Sequence, residues 1–416
     1  MSARLAALSV LGRVSEGGAW ADRALAAETA RFKLDARDRA FTSRLALGTV
    51  QRQRTLDHVL TVLGGREPAG LEPPVRDTLR LGAYQLLYTD GVPPHAAVAT
   101  AVDLVRVARR PGAAGLVNAI LRRVARSGED LIASLPDVTA GDAALLRSYP
   151  DWIAELWFDA YGAAEARALM DTGNEPAEAA LRVRAGARDR VEAELRGLGV
   201  AFHGDRAVPS AIVLDGPVDI AATTAFATGD AVPMSRSSQR IAPLLAPEPG
   251  MRVLDACAAP GGKSGHLAEL LGGAGEGLVC VEQDPGRCDA LRATLRRYGA
   301  DAAEVVCADA LLAGPARGPF DAILLDAPCS GLGVISGRPD LRWRRTPDDV
   351  RMLADLQTKL LAALAGALTP AGRLAYAVCT LSPAESDAVT APYTVREELR
   401  TWPHHGDGDG FYAALI

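Results

Sequence analysis

Val253-Leu254-Asp255-Ala256-Cys257-Ala258-Ala259-Pro260-Gly261-Gly262-Lys263-Ser264 is the stretch on which the fold turns. A short apolar run ends in an acid, a loop of small residues follows, and a helix can start near the second glycine. Small residues let a ligand approach the backbone, and a helix N-terminus offers free N–H groups. Nucleotide loops of several kinds share this outline. A phosphate-binding P-loop needs glycine five residues before Gly262, where Cys257 stands. That rival needs explicit rejection, because the apolar run ending at Asp326 resembles a strand carrying a magnesium-binding acid. A dinucleotide fingerprint, G-x-G-x-x-G, is absent. The remaining ligand loop is one that accommodates the methionine part of S-adenosylmethionine, with a bare structural turn as the plain alternative.

Outward from this loop, strand-like runs recur at 252–256, 278–281, 303–307, 322–325 and 374–378, most of them separated by helical stretches. Alternating strands and helices predict a parallel, doubly wound sheet with ligands outside the carboxyl ends of its strands. The second run ends at Glu282, about twenty residues past the loop, a position suited to ribose hydroxyls. The third ends at Cys307-Ala308-Asp309, where an acid can accept from an adenine amino group. Two acids at successive strand ends beside a compact loop describe an adenosine pocket.

The rest of the 416-residue chain reads differently. Residues 3–126 give helix after helix, broken at Gly17-Gly18, Gly64-Gly65, Pro73-Pro74, Pro93-Pro94 and Pro111-Gly112. Between 127 and 249 a helix at 152–170 is followed by short strands at 180–183 and 210–215 around a helix at 191–198. The expected fold is therefore multidomain: an all-α domain (1–130), a small α+β connector (131–240) and an α/β Rossmann-like domain (241–416). Apolar residues at 49% and charged residues at 23% fit a folded, globular chain. The net charge of −6 hides an asymmetry: residues 1–130 carry 19 basic against 13 acidic groups, the remainder 26 against 38. A basic helical module on an acidic body points to nucleic acid, with Arg52, Arg54, Arg122, Arg123 and Arg126 as its clusters. Lysine is scarce, and one of only three lysines is Lys263. No run of 18 uncharged apolar residues exists, so no spanning helix is expected. The six cysteines all follow residue 256 without CxxC spacing, which argues for free thiols in a reducing cytoplasm and against a zinc site or a disulfide framework.

The fourth run ends Asp326-Ala327-Pro328-Cys329-Ser330-Gly331 and the fifth Val378-Cys379-Thr380-Leu381-Ser382-Pro383. Neighbouring strands would bring both cysteines to the nucleoside crevice. With Cys257–Lys263 and Arg338-Pro339-Asp340-Leu341-Arg342-Trp343, these motifs resemble the RNA cytosine-C5 methyltransferases of the Sun/NOL/NOP family. The N-terminal helices resemble the NusB RNA-binding domain, notably Arg39-Ala40-Phe41 and Val117-Asn118-Ala119-Ile120-Leu121-Arg122-Arg123. Their fusion is similar to the bacterial small-subunit ribosomal RNA methyltransferase B group.

The resemblance implies a cytosine of 16S rRNA as substrate and S-adenosylmethionine as cofactor, in a monomer without metal or membrane. It implies Cys379 as nucleophile at cytosine C6, Cys329 as the aid to elimination, and Asp326 as the acid on the cytosine N3/N4 edge. Cys257, Ala258, Ala259, Pro260, Gly261, Gly262 and Lys263 would line the cofactor pocket, with Glu282 on ribose, Asp309 on adenine and Asp326 beside them. Alternatives are a transfer RNA substrate, or a non-catalytic RNA-binding assembly factor. Some residues depart from the family pattern. Val378 replaces Thr or Ser, Ala384-Glu385-Ser386 replaces Glu-Glu-Asn, and only 16 residues separate Pro383 from Arg400, fewer than in relatives.

Overall fold

The computed structural model describes residues 2–216 and 218–416, in two units. Unit 1 comprises Met1–Ala177 and Ile335–Arg344; unit 2 comprises Glu178–Val334 and Arg345–Ile416.

Unit 1 is helical, and its helices begin and end where local chemistry dictates. Asp35 caps the helix Ala36–Gln51 by accepting the Asp38 N–H at 2.7 Å. Proline opens Pro73–Tyr88 and Pro94–Val107, where its missing N–H costs nothing. The helix Ala114–Ala133 buries Val117, Ile120, Leu121 and Val124, a helical stripe, and leaves Arg122, Arg123 and Arg126 exposed. Leu45, Leu56, Leu79, Leu81 and Leu121 are fully buried in one core. Arg54 is spent on structure, donating to the Tyr149 carbonyl and to Asp151.

The segment Ile335–Arg344 is held inside this unit. Trp343 Nε1 donates to the Val50 carbonyl at 2.7 Å, and Asp340 accepts the Ala21 N–H at 3.1 Å. Arg342 is fully buried. Its guanidinium donates to Ser148 O, Gly173 O and Asn174 Oδ1 at 2.9–3.1 Å and lies 3.9 Å from the Tyr149 ring centroid. Burial pulls its pKa down to about 10, so it stays charged at neutral pH.

Unit 2 holds two sheets. The smaller is antiparallel, in order β2-β3-β1-β4, from β1 (Ala179–Val183), β2 (Phe202–Gly204), β3 (Ala211–Leu214) and β4 (Ala231–Pro233), with the helix Arg188–Gly197. The larger contains β5 (Val253–Asp255), β6 (Leu278–Glu282), β7 (Glu304–Cys307), β8 (Phe320–Asp326), β9 (Leu368–Val378), β10 (Glu397–Thr401) and β11 (Phe411–Leu415). Its order is β10-β11-β9-β8-β5-β6-β7. Strands β5 to β9 are parallel, while β11 runs antiparallel to both β9 and β10, so the sheet is mixed. Both faces of the parallel part are covered. In β8, Leu324 joins one core while Ile323 and Leu325 join the other, which is why the strand reads as an unbroken apolar run. The strand order reverses between β5 and β8, the switch point where doubly wound sheets bind ligands.

The connection after Pro383 keeps one helical turn, Asp387–Thr390, before β10 and β11 close the sheet as a hairpin. The cysteines correct one expectation. Cys288 and Cys307 are disulfide-bonded, and Cys307 is exposed, so neither is a free core thiol. The helix Pro285–Tyr298 folds its first turn back over the end of β7, bringing the two Cα atoms within 6.2 Å despite a sequence separation of 19. Cys257, Cys280, Cys329 and Cys379 are not in a disulfide among the described residues.

Candidate active site

The site lies along the carboxyl ends of β5, β6, β7, β8 and β9 in unit 2. Gly261 turns the loop after β5 with φ of 105°, a conformation that disfavours any side chain, and a Cβ there would meet Leu291 at 2.9 Å. The helix Gly262–Leu270 then starts, carrying Lys263 and Ser264 on its first turn.

A cleft beside this loop is lined by Ala256, Cys257, Glu282, Arg287, Asp309 and Pro328, among others. Glu282 is buried; its Oε1 accepts the Asp284 N–H at 3.0 Å and its Oε2 lies 3.4 Å from Arg287. Arg287 also donates to the Ala259 carbonyl at 2.7 Å, tying the loop to the next helix. Asp309 caps the next helix, its Oδ1 accepting the Leu311 N–H at 2.9 Å. The Cys257 thiol is pushed up by burial and by the charges of Asp255, Asp326 and Glu282, so it stays neutral.

Asp255 ends β5, and the residue pattern alone gives it no role. It is 1% exposed; Ser264 Oγ donates to its Oδ2 at 2.7 Å, and its Oδ1 has no hydrogen-bond partner among the described residues. Burial pushes its carboxyl up to about 7; the Ser264 hydrogen bond opposes this and the Asp326 charge adds to it. The available signal was an acid ending the strand that leads into the loop.

The neighbouring strand ends bring the chemical groups together. Cys329 Sγ and Cys379 Sγ are 3.3 Å apart. Lys263 Nζ donates to Asp326 Oδ2 at 2.7 Å and lies 5.3 Å from the Phe411 ring centroid. Burial works against the Lys263 ammonium, yet Asp326, Cys379 and Asp255 together lift its pKa above the ordinary lysine value. Cys329 is pushed strongly up by its hydrogen bond to Cys379, by burial, and by the charges of Cys379, Glu385 and Asp326. Either sulfur can be the donor in this pair, and Cys379 interacts electrostatically with the Lys263 ammonium. Backbone contacts fix both loops: Gly333 N–H donates to the Cys379 carbonyl at 3.1 Å, and Ala327 N–H to the Ala377 carbonyl at 2.9 Å.

Family models match at residues 242–394 (16S rRNA methyltransferase RsmB/F), 1–126 (NusB family) and 149–221 (ferredoxin-like domain of RsmF/B-like methyltransferases). The ribosomal RNA small subunit methyltransferase B of Pseudomonas putida is 35% identical over 437 residues, covering 100% of this chain and 98% of that protein. The chain belongs to the small-subunit ribosomal RNA methyltransferase B family. Its N-terminal helices are of NusB type, and its C-terminal part has the Rossmann-like methyltransferase fold with a mixed sheet. Two solved structures share the fold. PH0851 matches with TM-score 0.81 and 23% identity over 100% of this chain and 98% of that one. NSun6 from Pyrococcus horikoshii, described with SFG, matches with TM-score 0.60 and 21% identity over 65% and 98%. No helix among the described residues is long and apolar enough to cross a membrane.

Proposed function

We propose that this chain transfers a methyl group from S-adenosylmethionine to C5 of a cytosine in 16S ribosomal RNA, through a covalent bond between Cys379 and C6. The observation that carries the reading is the pair of thiols 3.3 Å apart, with the Lys263–Asp326 ion pair in the same crevice.

The donor set of the cleft fits the cofactor. Glu282 and Asp309 are acceptors suited to ribose hydroxyls and the adenine amino group, and residues 257–263 supply a compact wall. Asp255 adds a buried acceptor behind that wall, without a hydrogen-bond partner on Oδ1 among the described residues. Bound there, S-adenosylmethionine supplies an electrophilic methyl group for C5.

Cytosine C5 is a weak nucleophile until a thiolate adds at C6. Cys379 gives its proton to water, the thiolate electron pair forms the S–C6 bond, and the electrons of the 5,6 double bond move to C5. Asp326 holds the N3/N4 edge of the base, and the Lys263 ammonium offsets negative charge beside Cys379. Once C5 carries the methyl group, its proton passes to water, the C5–H electrons re-form the double bond, and the S–C6 bond breaks. Cys329, kept protonated against Cys379, donates to the departing sulfur and assists this elimination.

The target base must leave its stack or loop to enter the crevice. The basic residues 1–130, with Arg122, Arg123 and Arg126 exposed on one helix, make phosphate contacts that position the RNA without reading it. Residues 131–240 connect this module to the catalytic residues 241–416, and the chain acts as a monomer.

Substitution of each thiol tests the reading. Cys379→Ala should abolish methyl incorporation and covalent RNA adducts, while Cys329→Ala should let adducts accumulate on denaturing gels. Methylation by Cys379→Ala would overturn the assignment of the nucleophile. Bisulfite sequencing of total RNA from a deletion strain should show one 5-methylcytosine lost from 16S rRNA. Loss from transfer RNA would favour that substrate instead. No loss, together with no S-adenosylmethionine binding by calorimetry, would favour an assembly factor.

A further inference from the structure

Each of the two thiols is followed by a hydroxyl residue, Ser330 after Cys329 and Thr380 after Cys379, and both hydroxyls meet one buried carboxylate. That carboxylate is Glu385, with no exposed surface. Its Oε1 accepts the Ser330 N–H at 2.7 Å and Gln357 Nε2 at 3.1 Å. Its Oε2 accepts the hydroxyl of Ser330 at 2.5 Å and that of Thr380 at 3.2 Å. Ser330 and Thr380 hydroxyls are themselves 2.7 Å apart. Gln357 also donates to the Pro328 carbonyl at 2.8 Å, and Tyr376 OH donates to the Glu385 carbonyl at 2.6 Å.

We propose that Glu385 is the positioning residue that clamps the Cys329 and Cys379 loops together and sets the distance between their sulfurs. A buried carboxylate is retained only where enough donors replace water, and here four donors do so, three of them from the residues directly after the thiols. Backbone hydrogen bonds hold each loop at Ala327 and Gly333, and the side-chain clamp joins the residues directly after the two thiols, adding the rigidity that a reacting pair needs. The same charge disfavours ionisation of Cys329. The role in catalysis rests on the proposed chemistry of the two cysteines; the clamp itself does not.

The test measures geometry and activity separately, on the full chain. Diamide-driven formation of the Cys329–Cys379 disulfide, followed by mass spectrometry, reads how well the sulfurs are aligned. Glu385→Ala should slow it by at least about tenfold and lower kcat for RNA methylation by roughly 100-fold, with KM for RNA and S-adenosylmethionine binding unchanged. Glu385→Gln should rescue both within a few-fold, because the Ser330 and Thr380 hydroxyls can rotate to accept from its amide. If Glu385→Ala does not fold, the Ser330→Ala, Thr380→Val double variant carries the test and should move the same way. A folded Glu385→Ala protein with a wild-type disulfide rate would overturn the proposal, as would Glu385→Gln behaving like Glu385→Ala. Disulfide rates that follow the prediction while no variant, wild type included, methylates RNA would sink the proposed reaction and leave the clamp standing.

Discussion

Asp255 gives the sharpest quantitative test of the site's electrostatics. Its folded carboxyl titrates near 7 against an ordinary 3.8, mainly because burial disfavours the charged form. Below about pH 4 the group is protonated in folded and unfolded chains alike, and its neutral form costs the fold nothing. As pH rises the unfolded chain loses the proton first, so stability falls by up to about 1.4 kcal/mol per pH unit. Above about pH 7 both states are ionised and the penalty levels off. The interval of about three units amounts to roughly 4 kcal/mol in all, of which about 2.7 kcal/mol falls between pH 5 and 7. Asp255→Asn keeps the side-chain shape and an acceptor for Ser264 but removes the ionisation. The difference in unfolding free energy, variant minus wild type, should therefore rise from pH 5 to 7 and flatten by pH 8. Cys280 is the reporter: it pairs with Asp255 across β5 and β6, is fully buried, and becomes reactive only when this sheet opens. A saturating pulse of methanethiosulfonate along a urea series, read by mass spectrometry, gives the opening free energy at each pH. A flat difference would refute the burial argument. A falling one would mean that Lys263 holds Asp255 as an ion pair and outweighs desolvation.

Other expectations follow from single contacts. Arg342→Met removes donors from three carbonyl-type acceptors and should destabilise unit 1 by about 3 kcal/mol or more, seen as a lower urea midpoint by tryptophan fluorescence. A Cβ at Gly333 would lie 1.9 Å from the Gly410 carbonyl oxygen; Gly333→Ala should push the Cys379 loop away and lower kcat more than it raises KM. Glu282→Gln should weaken S-adenosylmethionine binding about tenfold or more by calorimetry while leaving the Cys329–Cys379 disulfide rate unchanged.

Much of unit 2 was legible because its parallel strands are buried on both faces. Runs such as Ala322-Ile323-Leu324-Leu325 had no polar alternation to confuse with a helix, and the acids Glu282 and Asp309 sat just beyond them. The three-residue strands β2 and β4 were not legible, since so short a run carries no period. Nor was the Cys288–Cys307 bond, whose partners meet only after a helix reverses the chain. Arg338-Pro339-Asp340-Leu341-Arg342-Trp343 was recognisable as a motif, but nothing in its pattern assigned it to the helical unit. Glu385 was visible only as a remnant of a familiar triplet. Its importance lies in donors from residues 330, 357 and 380, a convergence that spacing does not encode.

The discontinuity of unit 1 orders events during synthesis. Domains tend to fold from the N-terminus as they emerge. Here the first 177 residues can collapse into helices early, but the ten residues that complete them arrive only after β5 to β8 have been made. Until Arg342 emerges, the carbonyls of Ser148 and Gly173 lack the cation they receive in the finished fold. The helical module therefore matures late, in step with the sheet whose strands flank its last segment. A gene fragment ending at residue 177 would be expected to yield a looser bundle than the one in the whole chain.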